Sequence, residues 1–244
     1  MKPISTFLVC FGISTVIFAQ NATEILNNID KNISAESRII ETVIIIHGKR
    51  NDRTMTTKSY TAGDKKSFTE YLSPARDKGT KMLKLEKELW VYSPSTDRTI
   101  MISGHMLRQS VMGSDLSYED MMDDRKLKDT YTPTITGEEI IDGRKCHVLK
   151  LTAKVSDVAY HSQMMWVDKE RFIPLKQQLY AKSGQLLKRI SMSDVKQIKG
   201  RWFPMKMNYK DMLKDGDGTD WIINSIQFDE EIPEYIFSKA GLKQ

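Results

Sequence analysis

The chain is poor in the residues that most often carry chemistry or covalent bracing. Two cysteines and four histidines are spread over 244 residues. Cys10 falls inside an amino-terminal apolar run, so beyond residue 19 only Cys146 remains and no internal disulfide can form. Cys146 opens the alternating stretch Cys146–Leu151, where a buried, inert thiol is expected. His47, His105, His147 and His161 contain no i,i+4 pair of the zinc-protease kind, and no cysteine pair exists to hold metal. His47 ends an isoleucine run and reads as a satisfied strand histidine. A Gly-x-Ser-x-Gly elbow, a phosphate-binding loop and a dinucleotide fingerprint are all missing. Asp215–Asp220 superficially resembles a calcium loop, but it lacks the glycine at its sixth position and has Ile226 where a glutamate should close it. A hairpin turn is expected there. With no catalytic constellation, the chain reads as a non-enzyme with no catalytic residue, no metal ligand and no cofactor.

Long apolar runs are equally scarce. Only Ile4–Phe18 qualifies, preceded by Met1-Lys2 and followed by Ala19 and the polar Gln20-Asn21. That is the layout of a secretory signal peptide, residues 1–19, cleaved after Ala19. The alternative is a retained anchor, but ~15 apolar residues fall short of the ~20 that span a bilayer. Val9 before Cys10 makes a poor lipoprotein acceptor. The net charge of +5 comes from lysines and acids interspersed along the chain, with no basic block. A solvated surface accounts for that better than nucleic-acid binding. The hydrophobic content of 40% excludes wholesale disorder, and thirteen glycines with seven prolines exclude a collagen-like chain. Residues 20–244 are expected to form one domain.

What is present is mostly period two. Asn21–Glu24 resembles a capping box, and Ile25, Leu26, Ile29 and Ile33 follow at helical spacing, so a helix is expected over 22–33. Strands are then expected at 37–49, 54–61, 65–72, 81–86, 89–93 and 98–102. After a gap they resume at 131–141, 145–154, 162–168, 174–182, 186–197, 202–212 and 219–229, with a short helix or turn near Pro233. Tight connections such as Ala62-Gly63-Asp64 and Asp142-Gly143 separate them. Roughly a dozen strands in meander order predict one large antiparallel sheet, which must curl. The wall residues proposed to face an internal cavity are Leu83, Leu85, Trp90, Tyr92, Ile100, Ile102, Met164, Trp166, Met205 and Met207. Periodicity leaves open whether that face fills itself or surrounds a space.

The gap, residues 103–130, holds apolar side chains without period two, and Ser117 or Asp115 could cap a short helix carrying Tyr118, Met121 and Met122. Such a segment is either a lid or a plain crossover over one mouth of the sheet. The proposed lid residues are Met106, Leu107, Val111, Met112, Leu116, Tyr118, Met121 and Met122. The chain has fourteen methionines, all but Met1 beyond residue 19. Met82, Met101, Met165 and many of the residues just named are among them, and methionine suits surfaces that accept apolar partners of variable shape.

Tyr71–Thr80 (YLSPARDKGT), Trp90–Pro94 (WVYSP), Ser103–Met106 (SGHM), Met112–Asp120 (MGSDLSYED), Asp142–Leu151 (DGRKCHVLKL) and Ile232–Phe237 (IPEYIF) resemble the outer-membrane lipoprotein-sorting protein family, LolA/LolB-like, over most of residues 22–244. The resemblance implies an incomplete, half-open antiparallel barrel with an amino-terminal helix and a helical lid over its concave face. It further implies a periplasmic carrier, its leader removed, that takes the acyl chains of lipoproteins or other lipids. The expected partners are an inner-membrane transporter as donor and an outer-membrane acceptor, with transient membrane contact. The alternative is a periplasmic lipid-sensing regulatory or interaction module. In the best-studied member an arginine fastens the lid; no residue here is assigned that role.

Overall fold

β-branched and alternating stretches give thirteen strands in the computed structural model, which describes residues 14–123 and 125–243. They are β1 (Ser37–Ile46), β2 (Arg53–Ala62), β3 (Lys66–Ser73), β4 (Lys81–Leu85), β5 (Glu88–Ser93) and β6 (Arg98–Ile102). After the gap come β7 (Tyr131–Ile141), β8 (Arg144–Ala153), β9 (Ser162–Asp168), β10 (Pro174–Tyr180), β11 (Leu186–Ile198), β12 (Arg201–Asp211) and β13 (Thr219–Phe228). Every expected strand is present; the largest boundary difference is at β1, which ends at Ile46 and not at Lys49.

All thirteen belong to one antiparallel sheet in the order β6-β5-β4-β3-β2-β1-β13-β12-β11-β10-β9-β8-β7. The first and last strands meet in its middle, so the two free edges are β6 and β7, which are consecutive in sequence. The chain between them must therefore cross from one edge of the sheet to the other, and it does so over the sheet's face. The β7 edge carries Pro133, Glu138 and Glu139, all of which discourage further pairing. Pro204 in β12 coincides with a shortened pairing: the β12–β13 ladder runs only from Lys206 to Tyr209 on the β12 side, and Phe203, Met205, Ile223 and Phe228 pack there as a cluster.

Helix α1 spans Ser14–Ile33, so it begins well before the expected Asn21 cap. Nothing stops it at residue 21, because the apolar stretch ahead of Asn21 supports helix as readily as the stretch after it. The proposed leader lies partly outside the described residues. Ile25, Leu26 and Ile29 on α1 are buried against Tyr131, Leu149, Leu151, Met165 and Val167. Directly paired residues share a face, and the register runs Met165–Gln177–Ile190–Tyr209 across β9 to β12. Met207, two positions from Tyr209, continues it through Trp221, Ile44 and Met55. α1 thus lies on the same face that carries Ile44 and Met55. The opposite face of β3–β5 is covered by the carboxy-terminal segment, whose Phe237 and Leu242 pack on Phe68, Leu83 and Trp90. Two 3-10 turns, Glu234–Phe237 and Gly241–Lys243, form this cover where a short helix or turn near Pro233 is expected.

Candidate functional site

The crossover is built from two 3-10 turns (Gly104–Arg108 and Val111–Gly113), helix α2 (Tyr118–Met122) and helix α3 (Leu127–Thr130). α2 is short but well capped. Ser117 Oγ accepts from the Asp120 amide at 3.2 Å, and Asp120 Oδ2 accepts from the Ser117 amide at 2.7 Å. At Met112 and Gly113 the backbone takes two left-handed residues in succession (φ 50° and 80°), a turn that glycine makes without strain and methionine does not.

That turn and α2 press the crossover's apolar side chains onto the sheet. Val111 is buried with Ile44, Met55, Tyr71, Met82, Leu89 and Ile102, and Met106, Leu107, Met112, Tyr118, Met121 and Met122 pack half-buried around them. Leu116 is buried nearby. All eight proposed lid residues therefore lie together over one face of the sheet.

The ten proposed wall residues do not lie together. Ile102, Met205 and Met207 are on the face under the crossover, and Ile100 is on that face but 48% exposed near the edge. Leu83, Leu85, Trp90 and Tyr92 face the other way, against the carboxy-terminal cover. Met164 and Trp166 lie with Cys146, Val148, Ile173 and Leu175, on the face opposite α1. The reason is the period of two: both faces of β4, β5 and β9 are apolar, so alternation does not tell inner from outer. Ile44, Met55, Tyr71 and Leu89, which do lie beneath the crossover, were not singled out by sequence. On β2, Met55 shares its face with Thr57, Ser59 and Thr61, which hides it from a hydrophobic count.

Polar contacts fasten the crossover at three points. Arg53 donates from Nη1 to the Met112 carbonyl (2.9 Å) and from Nη2 to Asp77 (2.7 Å). Asp115 accepts from the Thr219 hydroxyl (2.7 Å) and the Asp211 amide (2.9 Å), while Lys214 donates to the Ser114 carbonyl (2.6 Å). Asp120 on α2 forms a buried ion pair with Lys188 on β11 and accepts from the Tyr160 hydroxyl at 2.6 Å. Burial alone would raise the Asp120 carboxyl, but the Lys188 charge and the hydrogen bonds from Lys188, Tyr160 and Ser117 outweigh it and hold it below the usual carboxylate range. Burial, with Asp120 alongside, pushes the Tyr160 phenol far up, so it stays a donor.

Between crossover and sheet lies a cavity of about 310 Å³. One end is apolar (Ile40, Ile44, Tyr71, Leu116, Met121, Trp221) and the other polar, with Arg38, Lys84 and a floor of serine and threonine hydroxyls. Elsewhere, His47 sits between Asp52 (2.9 Å) and Asp220 (3.5 Å); burial works against its charge, but the two carboxylates raise its pKa overall. Cys146 is buried, and desolvation pushes its thiol up, away from reactivity. Among the described residues no group of three or more histidine, cysteine or acidic side chains is placed to hold a metal ion, and no helix is long and apolar enough to cross a membrane. The arrangement is a cavity, apolar at one end and polar at the other, beneath a crossover fastened by polar contacts.

A family model described as "-like: Uncharacterized protein" matches residues 63–244. The comparison with curated proteins gives no match. Three solved structures share the fold over nearly the whole chain. A DUF1329 family protein from Desulfovibrio piger superposes with a TM-score of 0.81 at 25% identity, covering 92% of this chain and 99% of its own. An outer membrane lipoprotein-sorting protein domain from Vibrio parahaemolyticus gives 0.80 at 24% identity, covering 93% and 100%. A LolA superfamily protein from Nitrosomonas europaea gives 0.74 at 25% identity, covering 90% and 98%.

Proposed function

We propose that this chain, which belongs to the family whose model matches residues 63–244 and has a LolA-like fold, is a non-enzymatic periplasmic carrier. It takes the acyl chain of a lipoprotein or another lipid into the cavity beneath the crossover and moves it between the inner and outer membranes. Residues 1–19 act as its export signal, and residues 20–244 work as one carrier domain.

The observation that carries this reading is the way the apolar face is filled. A single crossover, joining the two unpaired edges of the sheet, covers that face with Met106, Leu107, Val111, Met112, Met121 and Met122. Those side chains are held down by a few polar contacts and not by sheet pairing, so they can leave without breaking the ladder. A hydrocarbon tail needs such a refuge. Each methylene is worth ~0.8 kcal/mol, so a sixteen-carbon chain left in water costs roughly 12 kcal/mol.

Native mass spectrometry of protein purified from a double-membraned host tests the proposal directly. It should show a fraction of molecules carrying an added mass of a single lipid, lost when the crossover is disabled by Met112→Asp with Met121→Asp. Protein that stays lipid-free, and fails to take a fluorescent fatty acid from vesicles, would overturn it.

A further inference from the structure

We propose that the cavity recognises the ester linkage of its cargo. An uncharged acyl ester is drawn beneath the crossover, where its carbonyl oxygen accepts from the Trp221 indole N–H, with the Tyr71 hydroxyl as a second donor. The inference rests on the carrier reading and deepens it by naming the functional group that is held.

The register brings the two donors to one place. Trp221 on β13 pairs with Ile44 on β1, which pairs with Met55 on β2. Thr57, two positions on from Met55 and so on the same face, pairs with Tyr71 on β3. The backbones of β13 and β3 are three strand spacings apart, about 14 Å. Both side chains pack into the apolar cluster under the crossover, and both line the cavity. Neither belongs to the crossover, so both stay in place when it lifts.

Each donor lacks a strong acceptor. Trp221 Nε1 is buried with no hydrogen-bond partner. Tyr71, 2% exposed, gives its hydroxyl proton to the Met82 thioether at 3.7 Å, a weak acceptor. Burial pushes the Tyr71 phenol up, so it keeps that proton. Among the described residues that line the cavity, the buried side-chain atoms without a partner are Trp221 Nε1 and Arg38 Nε, both of them N–H donors. The shortage is of acceptors and not of negative charge, because the Asp64 carboxylate already lines the polar end with Arg38. An unpaired buried donor is costly, and an acceptor-only group relieves it without bringing another donor to be satisfied. An ester or ketone carbonyl is such a group. It also follows its chain into apolar surroundings, which an ionised carboxylate does not.

Displacement of a fluorescent fatty acid from the full chain by methyl decanoate, 2-dodecanone and tridecane, three uncharged ligands of similar size, tests this. Comparing each ligand between proteins cancels its own hydrophobicity. Trp221→Phe keeps an aromatic ring and removes the N–H, so the ester-to-tridecane affinity ratio should fall roughly tenfold, the worth of about one hydrogen bond. Tyr71→Phe should lower the same ratio several-fold. A ratio unchanged in Trp221→Phe overturns the ester site and leaves the carrier reading standing. A ratio that falls for the ketone and not for the ester assigns the donors to a ketone and overturns the acyl ester. Failure of all three ligands to displace the probe overturns both readings. Should Trp221→Phe fail to fold by circular dichroism, infrared spectroscopy of carbonyl-labelled methyl decanoate on the unaltered chain decides the question. The ester stretch should move below its frequency in hydrocarbon solvent, and an unshifted band overturns the proposal.

Discussion

The buried pair between Asp120 on α2 and Lys188 on β11 sets a test of whether the crossover moves as a lid. The perturbation is Lys188→Met, which keeps the side chain's length and removes its charge. Lys188 is 5% exposed, so its loss leaves Asp120 buried with the Tyr160 hydroxyl and the Ser117 amide and hydroxyl as remaining partners. Removing one member of a buried pair costs ~3–5 kcal/mol; with three hydrogen bonds surviving on Asp120, we predict the lower end, ~3 kcal/mol. If the crossover opens on its own, that cost falls on the closed state alone, and the open population rises by roughly a hundredfold. Hydrogen exchange reads this out. The amides of α2 should exchange about a hundredfold faster, while those of β8 around Leu149 keep their protection. The affinity for an acyl probe should rise, because ligand no longer waits for a rare open state.

A pH signature follows from the same residue. In the native chain Asp120 titrates below its ordinary value, so its contribution is full above pH ~4 and is lost as pH falls through the lowered folded pKa. In Lys188→Met the burial effect prevails, the carboxyl moves up, and α2 should loosen at a higher pH than in the unaltered protein. Adding Asp120→Asn should restore most of the protection, since an uncharged pair at this site costs little. Exchange that accelerates equally in α2 and β8 would refute the reasoning, because the pair would then support the whole fold and not the lid. So would an acyl affinity that falls with Lys188→Met.

Three further outcomes are expected. Met112→Asp with Met121→Asp should cut extraction of a fluorescent fatty acid by more than about tenfold, each carboxylate costing several kcal/mol against an apolar ligand; undiminished extraction removes these residues from the binding role. Phe237→Ala should lower stability by ~3–5 kcal/mol in denaturant titration without changing acyl affinity, since Phe237 packs on the opposite face of the sheet; a parallel loss of binding would mean the two faces are coupled. Asp168, whose side chain is 1% exposed and accepts from Arg144 at 2.8 and 3.1 Å, should cost ~3 kcal/mol on conversion to asparagine. Burial would raise its pKa, but Arg144 and two backbone amides hold it low, so its contribution fades only as pH drops below ~4; a thermal midpoint insensitive to the substitution would show that the pair adds nothing.

The sheet was legible because its signals are local. Alternation marks strands, and pairs such as Asp142-Gly143 and Ser183-Gly184 mark hairpins wherever the order is a meander. The short helix α2 was legible too, since Ser117 capping and the cluster Tyr118, Met121 and Met122 are all within a few residues. Which face is covered was not legible. Leu83 and Met82 are adjacent and both apolar; one meets Phe237 and Leu242, the other meets the crossover. That choice depends on where β6 and β7 end up relative to one another, which is set by the long-range pairing of β1 with β13. The polar end of the cavity was invisible for a related reason. Arg38, Thr61, Ser67 and Lys84 are separated in sequence, and each reads as an ordinary solvent-facing residue until register lines them up.

The crossover bears on how a carrier of the proposed kind can let go. Apolar side chains buried from water are worth ~1.5–3 kcal/mol each, and the crossover brings seven apolar aliphatic residues to the covered face, Val111 and Leu116 fully and the methionines and Leu107 by half. Their combined value is of the same order as the roughly 12 kcal/mol of one long acyl chain, so hydrocarbon and lid compete on nearly equal terms and neither wins by much. Near balance, a modest polar interaction decides occupancy. The Asp120–Lys188 pair tips the balance toward the closed, empty state. Under the proposed carrier function, loading and release then depend on whether that charge contact is made, while the large apolar term stays nearly constant throughout.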